Sequence, residues 1–132
     1  LGADGVQVGS RFVASDEASS HMLFKQKVVE AGEGDTQLTL KELAPIRLIK
    51  NKFYNDVQRA YENGASMEQL KTLLGRARAK RGMFEGDMDE GELEIGQVST
   101  LIHEIKPAAD IVKEMVQEFE TAKTQVSNWK LL

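Results

Sequence analysis

Apolar and small residues alternate at the start of the chain: Val6 and Val8 flank Gln7, Phe12 and Val13 continue the apolar run, and Gly9-Ser10 interrupts it. A period of two predicts a buried strand, opening at Leu1, that runs into a small-residue turn. Residues as small as Gly9 and Ser10 let a ligand reach main-chain N–H groups. A helix signal follows, with Ser15 or Asp16 as N-cap and Asp16 and Glu17 in the first turn. Helical spacing of Phe24, Val28 and Ala31 predicts a helix over about 20–31, with Gly32 as its C-cap.

Further on, Thr36, Leu38 and Leu40 alternate with Gln37 and Thr39, the pattern of a short strand, and Ile46, Leu48 and Ile49 form a second short extended or helical run after Pro45. Asn51 reads as the N-cap of a helix to about Asn63 that packs Phe53, Val57 and Tyr61 and ends at Gly64. Ser66-Met67-Glu68-Gln69 has the form of a capping box, and the helix it opens should bury Met67, Leu70, Leu73 and Leu74 before Gly75. Arg76 to Arg81 continues as helix or turn, Gly86 to Gly91 is an acidic loop, and a shorter helix is expected over about 96–102. Pro107 suits the first position of a last helix, whose buried side would carry Ile111, Met115, Phe119 and Ala122. The tail from Gln125, with Trp129, has no assigned place. There is no internal repeat and no low-complexity tract.

Composition narrows the function classes. With 41% hydrophobic and 29% charged residues, the 132-residue chain has enough apolar side chains for a core. It has no cysteine, so disulfides, thiol catalysis and the usual zinc ligands are excluded. No apolar stretch approaches the ~20 residues of a membrane helix, and no signal-type N-terminus is present, so a soluble cytoplasmic protein with no membrane partner is expected. A formal charge of −4 and a pI near 5.3 lack the basic field that nucleic-acid binding needs.

Candidate chemistry is sparse. Strand, small turn and helix start is a geometry that favours anions, because unpaired N–H groups and the helix dipole both attract negative charge; it is equally that of an ordinary βα turn that packs tightly. His21 sits near a predicted helix start and reads as solvent-facing or capping, and His103 as structural, rather than as general bases. Asp87-Met88-Asp89-Glu90-Gly91 suggests a calcium loop, but counting from Asp87 the sixth position is Glu92 and the twelfth Ser99, where glycine and glutamate are required. It reads as a solvated acidic turn. The basic run Arg76 to Arg81 offers arginine forks to an acidic carrier protein or a dinucleotide phosphate, against the plainer reading of a solvated face pairing with nearby glutamates, which we prefer. The five methionines are scattered.

Five landmarks stand in order along the chain: Leu1-Gly-Ala-Asp-Gly-Val-Gln-Val-Gly-Ser-Arg-Phe12, Phe24-Lys-Gln-Lys-Val-Val29, Arg47-Leu-Ile-Lys-Asn51, Glu85-Gly-Asp87 with Gly96-Gln97, and Lys106-Pro-Ala-Ala109. Together they resemble the C-terminal part of the FMN-dependent nitronate monooxygenase (2-nitropropane dioxygenase) and enoyl-acyl carrier protein reductase II family, from Leu1 to about Val116. The resemblance implies an α/β fold: the C-terminal portion of a (β/α)8 flavin-binding barrel with a smaller helix-rich α+β domain, mostly helical within this stretch. It divides the chain into a last β/α unit over 1–31, a small helix-rich domain over 32–94, and C-terminal helices over 95–132 that pack back on the barrel. It places Gln7, Val8, Gly9 and Ser10 at the cofactor, with the turn at the FMN phosphate and Gln7 lining the flavin side. Ser10 stands where threonine is usual and keeps the hydroxyl.

The catalytic histidine of the resembled reductases lies upstream of this stretch, so no catalytic residue and no metal ligand is assigned here. A (β/α)8 barrel needs ~250 residues, and this sequence of 132 begins with Leu1. The chain is therefore expected to be a piece whose partner is the remaining N-terminal part of the barrel, inactive alone. The implied cofactors are FMN, with NAD(P)H as co-substrate, and the implied substrate is a small molecule or acyl thioester; a homodimer is compatible with the resemblance. Lys25-Gln26-Lys27 and Arg47 to Asn51 favour the enoyl reductase branch, of fatty acid synthesis, over nitronate oxidation with oxygen. A non-catalytic helical interaction module is the alternative from another class.

Overall fold

The computed structural model describes residues 3–129. Leu1 and Gly2, the opening of the expected strand, and residues 130–132 of the tail lie outside the described residues. Residues 3–9 are neither strand nor helix, and Val6 is 88% exposed. This corrects the expected strand. Backbone N–H and C=O groups become a strand only by pairing with neighbours, and no neighbouring strand accompanies this segment among the described residues. Phe12 and Val13, expected to prolong the run, belong instead to a short helix, α1 (Ser10–Val13).

α2 (Met22–Glu30) is capped by His21, whose side chain accepts from the Leu23 N–H, and ends at Ala31 rather than Gly32. Neither Ser15 nor Asp16 is the N-cap. Residues 16–21 are not helical and α2 begins only at Met22; the Ser15 hydroxyl donates to the Phe12 carbonyl at 2.8 Å, and the Asp16 N–H donates to the Lys106 carbonyl at 3.2 Å. Strands β1 (Thr36–Thr39) and β2 (Ile46–Ile49) pair antiparallel, with Thr36 opposite Ile49 and Thr39 opposite Ile46. The segment 93–95 adds to the free side of β2 through Ile49 N–H to Leu93 O and Ile95 N–H to Arg47 O, at 2.9 and 3.2 Å.

α3 (Lys52–Glu62) starts where its sequence says, with the Asn51 side chain accepting from the Tyr54 N–H. α4 (Met67–Leu74) has both halves of the capping box, Ser66 with Gln69, although Met67 is exposed. After α5 (Arg78–Met83), the expected helix over 96–102 is a tighter 3-10 helix at Gln97–Leu101. The last helix, α6 (Ala108–Ser127), has Pro107 as N-cap. It buries Ile111, but Phe119 is 62% exposed and Ala122 is exposed as well, contrary to the expected buried face. No helix among the described residues is long and apolar enough to cross a membrane.

Two apolar clusters flank the small sheet. One gathers Ala14, Phe24, Val28, Ile49, Leu93, Ile95 and Ile102; the other gathers Leu40, Leu48, Phe53, Val57 and Leu70. Neighbouring residues Leu48 and Ile49 point to opposite sides of β2 and so enter different clusters.

Candidate functional site

Gly9 caps α1 without any side-chain hydrogen bond, so the opening N–H groups of this turn have no side-chain acceptor. Gln7 and Gly9 are exposed, and Val8 and Ser10 are half-buried. A Cβ built on Gly9 would meet nothing within 4 Å, and its φ of −110° is open to any residue. Nothing in this chain, then, requires glycine at position 9. An open turn of uncapped N–H groups beside a hydroxyl fits an oxyanion such as the phosphate end of FMN.

The turn is held from behind by cations on the carbonyls at its far end. Lys25, only 3% exposed, donates from Nζ to the carbonyls of Ser15 and Asp16 at 2.5 and 3.2 Å. Arg11 donates to the carbonyls of Ala14 and Glu104 at 3.4 and 3.2 Å, and the Ser20 hydroxyl donates to the Val13 carbonyl at 2.9 Å. Cations and hydroxyls at the C-terminal carbonyls of a helical turn match its dipole. These contacts leave the N-terminal side of α1 open and fix the rest.

Two hollows meet at the turn. On one side Gly9, Ser10 and Val13 face Pro45 to Arg47 and Glu94 to Gly96 across an open groove of about 450 Å³. On the other, Val8, Gly9 and Phe12 lean toward Phe24, Met83 and Phe84 around an apolar hollow of about 350 Å³. Arg47, which lines the groove, donates to the carbonyl and hydroxyl of Thr36, both at 3.2 Å. Two residues before Glu94, at the crossing with α5, burial raises the Glu92 carboxyl from its ordinary 4.5 to about 7; Glu94 raises it further and Arg78 opposes.

The other candidates are structural. His21 caps α2, and its ring lies against Gly86, where a Cβ would meet Nδ1 at 2.5 Å. His103 is exposed. In the basic run, Arg78 donates to the carbonyls of Leu73, Leu74 and Glu90, while Lys80 pairs with Glu85 and Arg81 with Asp87. Asp87 accepts from the Glu90 N–H, which with Arg81 holds its carboxyl below the ordinary range. The acidic turn is thus tied up internally, and no cluster of metal-ligating side chains exists among the described residues. Sequence reasoning missed Lys25 as a clamp and Gly96 as a neighbour of Ser10; each appeared only as part of a landmark.

Residues 1–118 match the family described as nitronate monooxygenase. The chain belongs to this family. Its members are FMN-dependent oxidoreductases. Within the nitronate monooxygenase family, a probable nitronate monooxygenase of Bacillus subtilis is 32% identical over 120 residues, covering 89% of this chain and 34% of the relative. A second, of Staphylococcus saprophyticus, is 28% identical over 119 residues, covering 89% and 33%. The chain thus spans about a third of the length of these curated relatives. Among solved structures, FabK from Thermotoga maritima superposes with a TM-score of 0.87 and 34% identity, over 98% of this chain and 41% of FabK. A mutant of the same FabK gives a TM-score of 0.82 and 30% identity, over 98% and 38%.

Proposed function

We propose that this chain is the C-terminal part of an FMN-dependent oxidoreductase whose whole form reduces the carbon–carbon double bond of an enoyl thioester with NAD(P)H. The observation that carries this reading is the superposition of nearly the entire chain on FabK, an enoyl-acyl carrier protein reductase II, together with an open Gly9–Ser10 turn that nothing in the chain itself fills. In this reading the N–H groups of Gly9 and Ser10 bind the FMN phosphate, the Ser10 hydroxyl donates to it, and Gln7 and Val8 line the flavin side. Bound FMN supplies the hydride chemistry. The chain's own residues bind and orient: Lys25 and Arg11 hold the turn in place, and the rest of the barrel, which this chain does not contain, encloses the cofactor. Such a phosphate position, after the last strands at the C-terminal face, is the usual one in (β/α)8 enzymes.

A second reading is favoured by the names of the two curated relatives, nitronate oxidation with oxygen. Assays on the whole gene product separate the two. Consumption of NAD(P)H that depends on an enoyl thioester, faster than oxygen uptake with a nitronate, is the expected result. Robust nitronate turnover without enoyl reduction would replace the first reading by the second, and a purified protein without FMN would remove both.

A further inference from the structure

The Ser10 hydroxyl accepts a hydrogen bond from the Gly96 N–H at 3.2 Å, across 86 residues of sequence. The approach is so close that a Cβ on Gly96 would meet Ser10 Oγ at 2.7 Å, while the Ser10 Cβ would lie 3.9 Å away. Both residues, with Gly9, line the same groove. The remainder of the segment is anchored behind this contact: Ser99 N–H donates to Gly96 O at 3.0 Å, Ile102 N–H to Ser99 O at 2.9 Å, and Ile102 is buried with Ala14, the residue that ends α1.

A serine hydroxyl has one proton and two lone pairs. One lone pair of Ser10 is used by Gly96, and its proton has no acceptor among the described residues. The accepted bond leaves the proton free to be donated to an acceptor in the groove.

Building on the flavin reading above, we infer that Ser10 is a positioning residue that joins the phosphate turn to the Gly96–Gln97 turn, making the latter the second wall of the FMN-phosphate site. Ser10 thus does more than touch phosphate: it sets where the wall stands, and a side chain on Gly96 would displace the hydroxyl from that position. Phosphate binding and the placement of the 96–102 segment are coupled through one oxygen atom.

The coupling has a signature that neither a bystander serine nor a generally structural glycine gives. FMN dissociation constants are measured by flavin fluorescence on the whole gene product, alongside thermal midpoints, for Ser10→Ala, Gly96→Ala, the double variant and Ser10→Thr. Gly96→Ala alone should weaken FMN binding severalfold while leaving the protein folded, because its methyl turns the Ser10 hydroxyl out of the place it holds between the two turns. In the Ser10→Ala background, where Oγ is gone, the same change should cost less than about twofold. Ser10→Thr should stay within about threefold of the parent. Additive losses, or a Gly96→Ala protein that binds FMN normally, would overturn the inference while leaving the flavin reading intact. A parent protein that binds no FMN would instead overturn the reading beneath it.

Discussion

Gly91→Ala should lower the thermal midpoint of the whole gene product by about 4 °C, the effect of roughly 3 kcal/mol on a protein about three times the length of this chain. A Cβ at Gly91 would meet the Asp87 carbonyl and the Gly82 Cα, both at 2.3 Å, and the Gly82 N at 2.6 Å. These are backbone atoms, so no rotamer change relieves the clash. Gly82 is equally confined from the other side, since a Cβ there would meet the Glu92 carbonyl at 2.6 Å. The two glycines let α5 press its backbone directly onto residues 91–92, where Glu92 N–H donates to Arg78 O at 3.1 Å. Asn51 then ties the same turn to α3, donating to Met88 O and Gly91 O at 2.9 and 2.8 Å. Differential scanning fluorimetry of the whole gene product and its variant measures the shift. A midpoint within about 1 °C of the parent, on the order of 0.5 kcal/mol, would show that the crossing yields more easily than its geometry implies.

Glu92→Gln should stabilise the protein at pH 8–9 and have little effect below pH 4.5. The carboxyl titrates near 7 when folded against an ordinary 4.5, because burial disfavours its charge, Glu94 repels it, and Arg78 only partly compensates. The folded form therefore holds its proton where the unfolded form has lost it, and stability falls as pH rises from about 4.5 to about 7. Above that window the ionised group costs on the order of 3 kcal/mol. Glutamine, which resembles the protonated acid, removes the cost. Thermal midpoints of parent and variant across pH 4–9 test this: the gap should open through the window. A gap of constant size would mean that Glu92 is solvated when charged.

What the sequence made legible was local. Asn51 and Ser66 sit within three residues of the N–H groups they cap, so their side-chain chemistry alone locates α3 and α4. The true cap of α2 was hidden because Ser15 and Asp16 are stronger capping residues than His21, while the chain between them and Met22 stays irregular, with the Ser15 hydroxyl turned back to the Phe12 carbonyl and the Asp16 N–H held by Lys106. The first strand failed for the same kind of reason. Val6 and Val8 alternate correctly, but alternation does not supply the neighbouring strands. On α6 the apolar face is plain in the spacing of Ile111, Met115 and Phe119, whereas what covers Phe119 is not encoded in that spacing. Of the candidate site, the location of the small turn could be read from Gly9-Ser10, whereas the ligand proposed for it came from resemblance. The Ser10–Gly96 contact was invisible, since glycine announces a freedom of backbone or a close approach without naming the neighbour.

If the turn binds FMN as proposed, Gly9 is glycine for a ligand and not for the fold. FMN is titrated into the whole gene product and its Gly9→Val variant, followed by flavin fluorescence, with thermal midpoints taken on the FMN-free forms and the 132-residue chain titrated alongside. The expected result is that the variant binds FMN at least tenfold more weakly, about 1.4 kcal/mol or more, that it remains folded without FMN, as a Cβ at position 9 meets nothing within 4 Å in this chain, and that the chain alone binds only weakly. Equal FMN affinity in parent and variant, or a submicromolar stoichiometric complex with the chain alone, would contradict it.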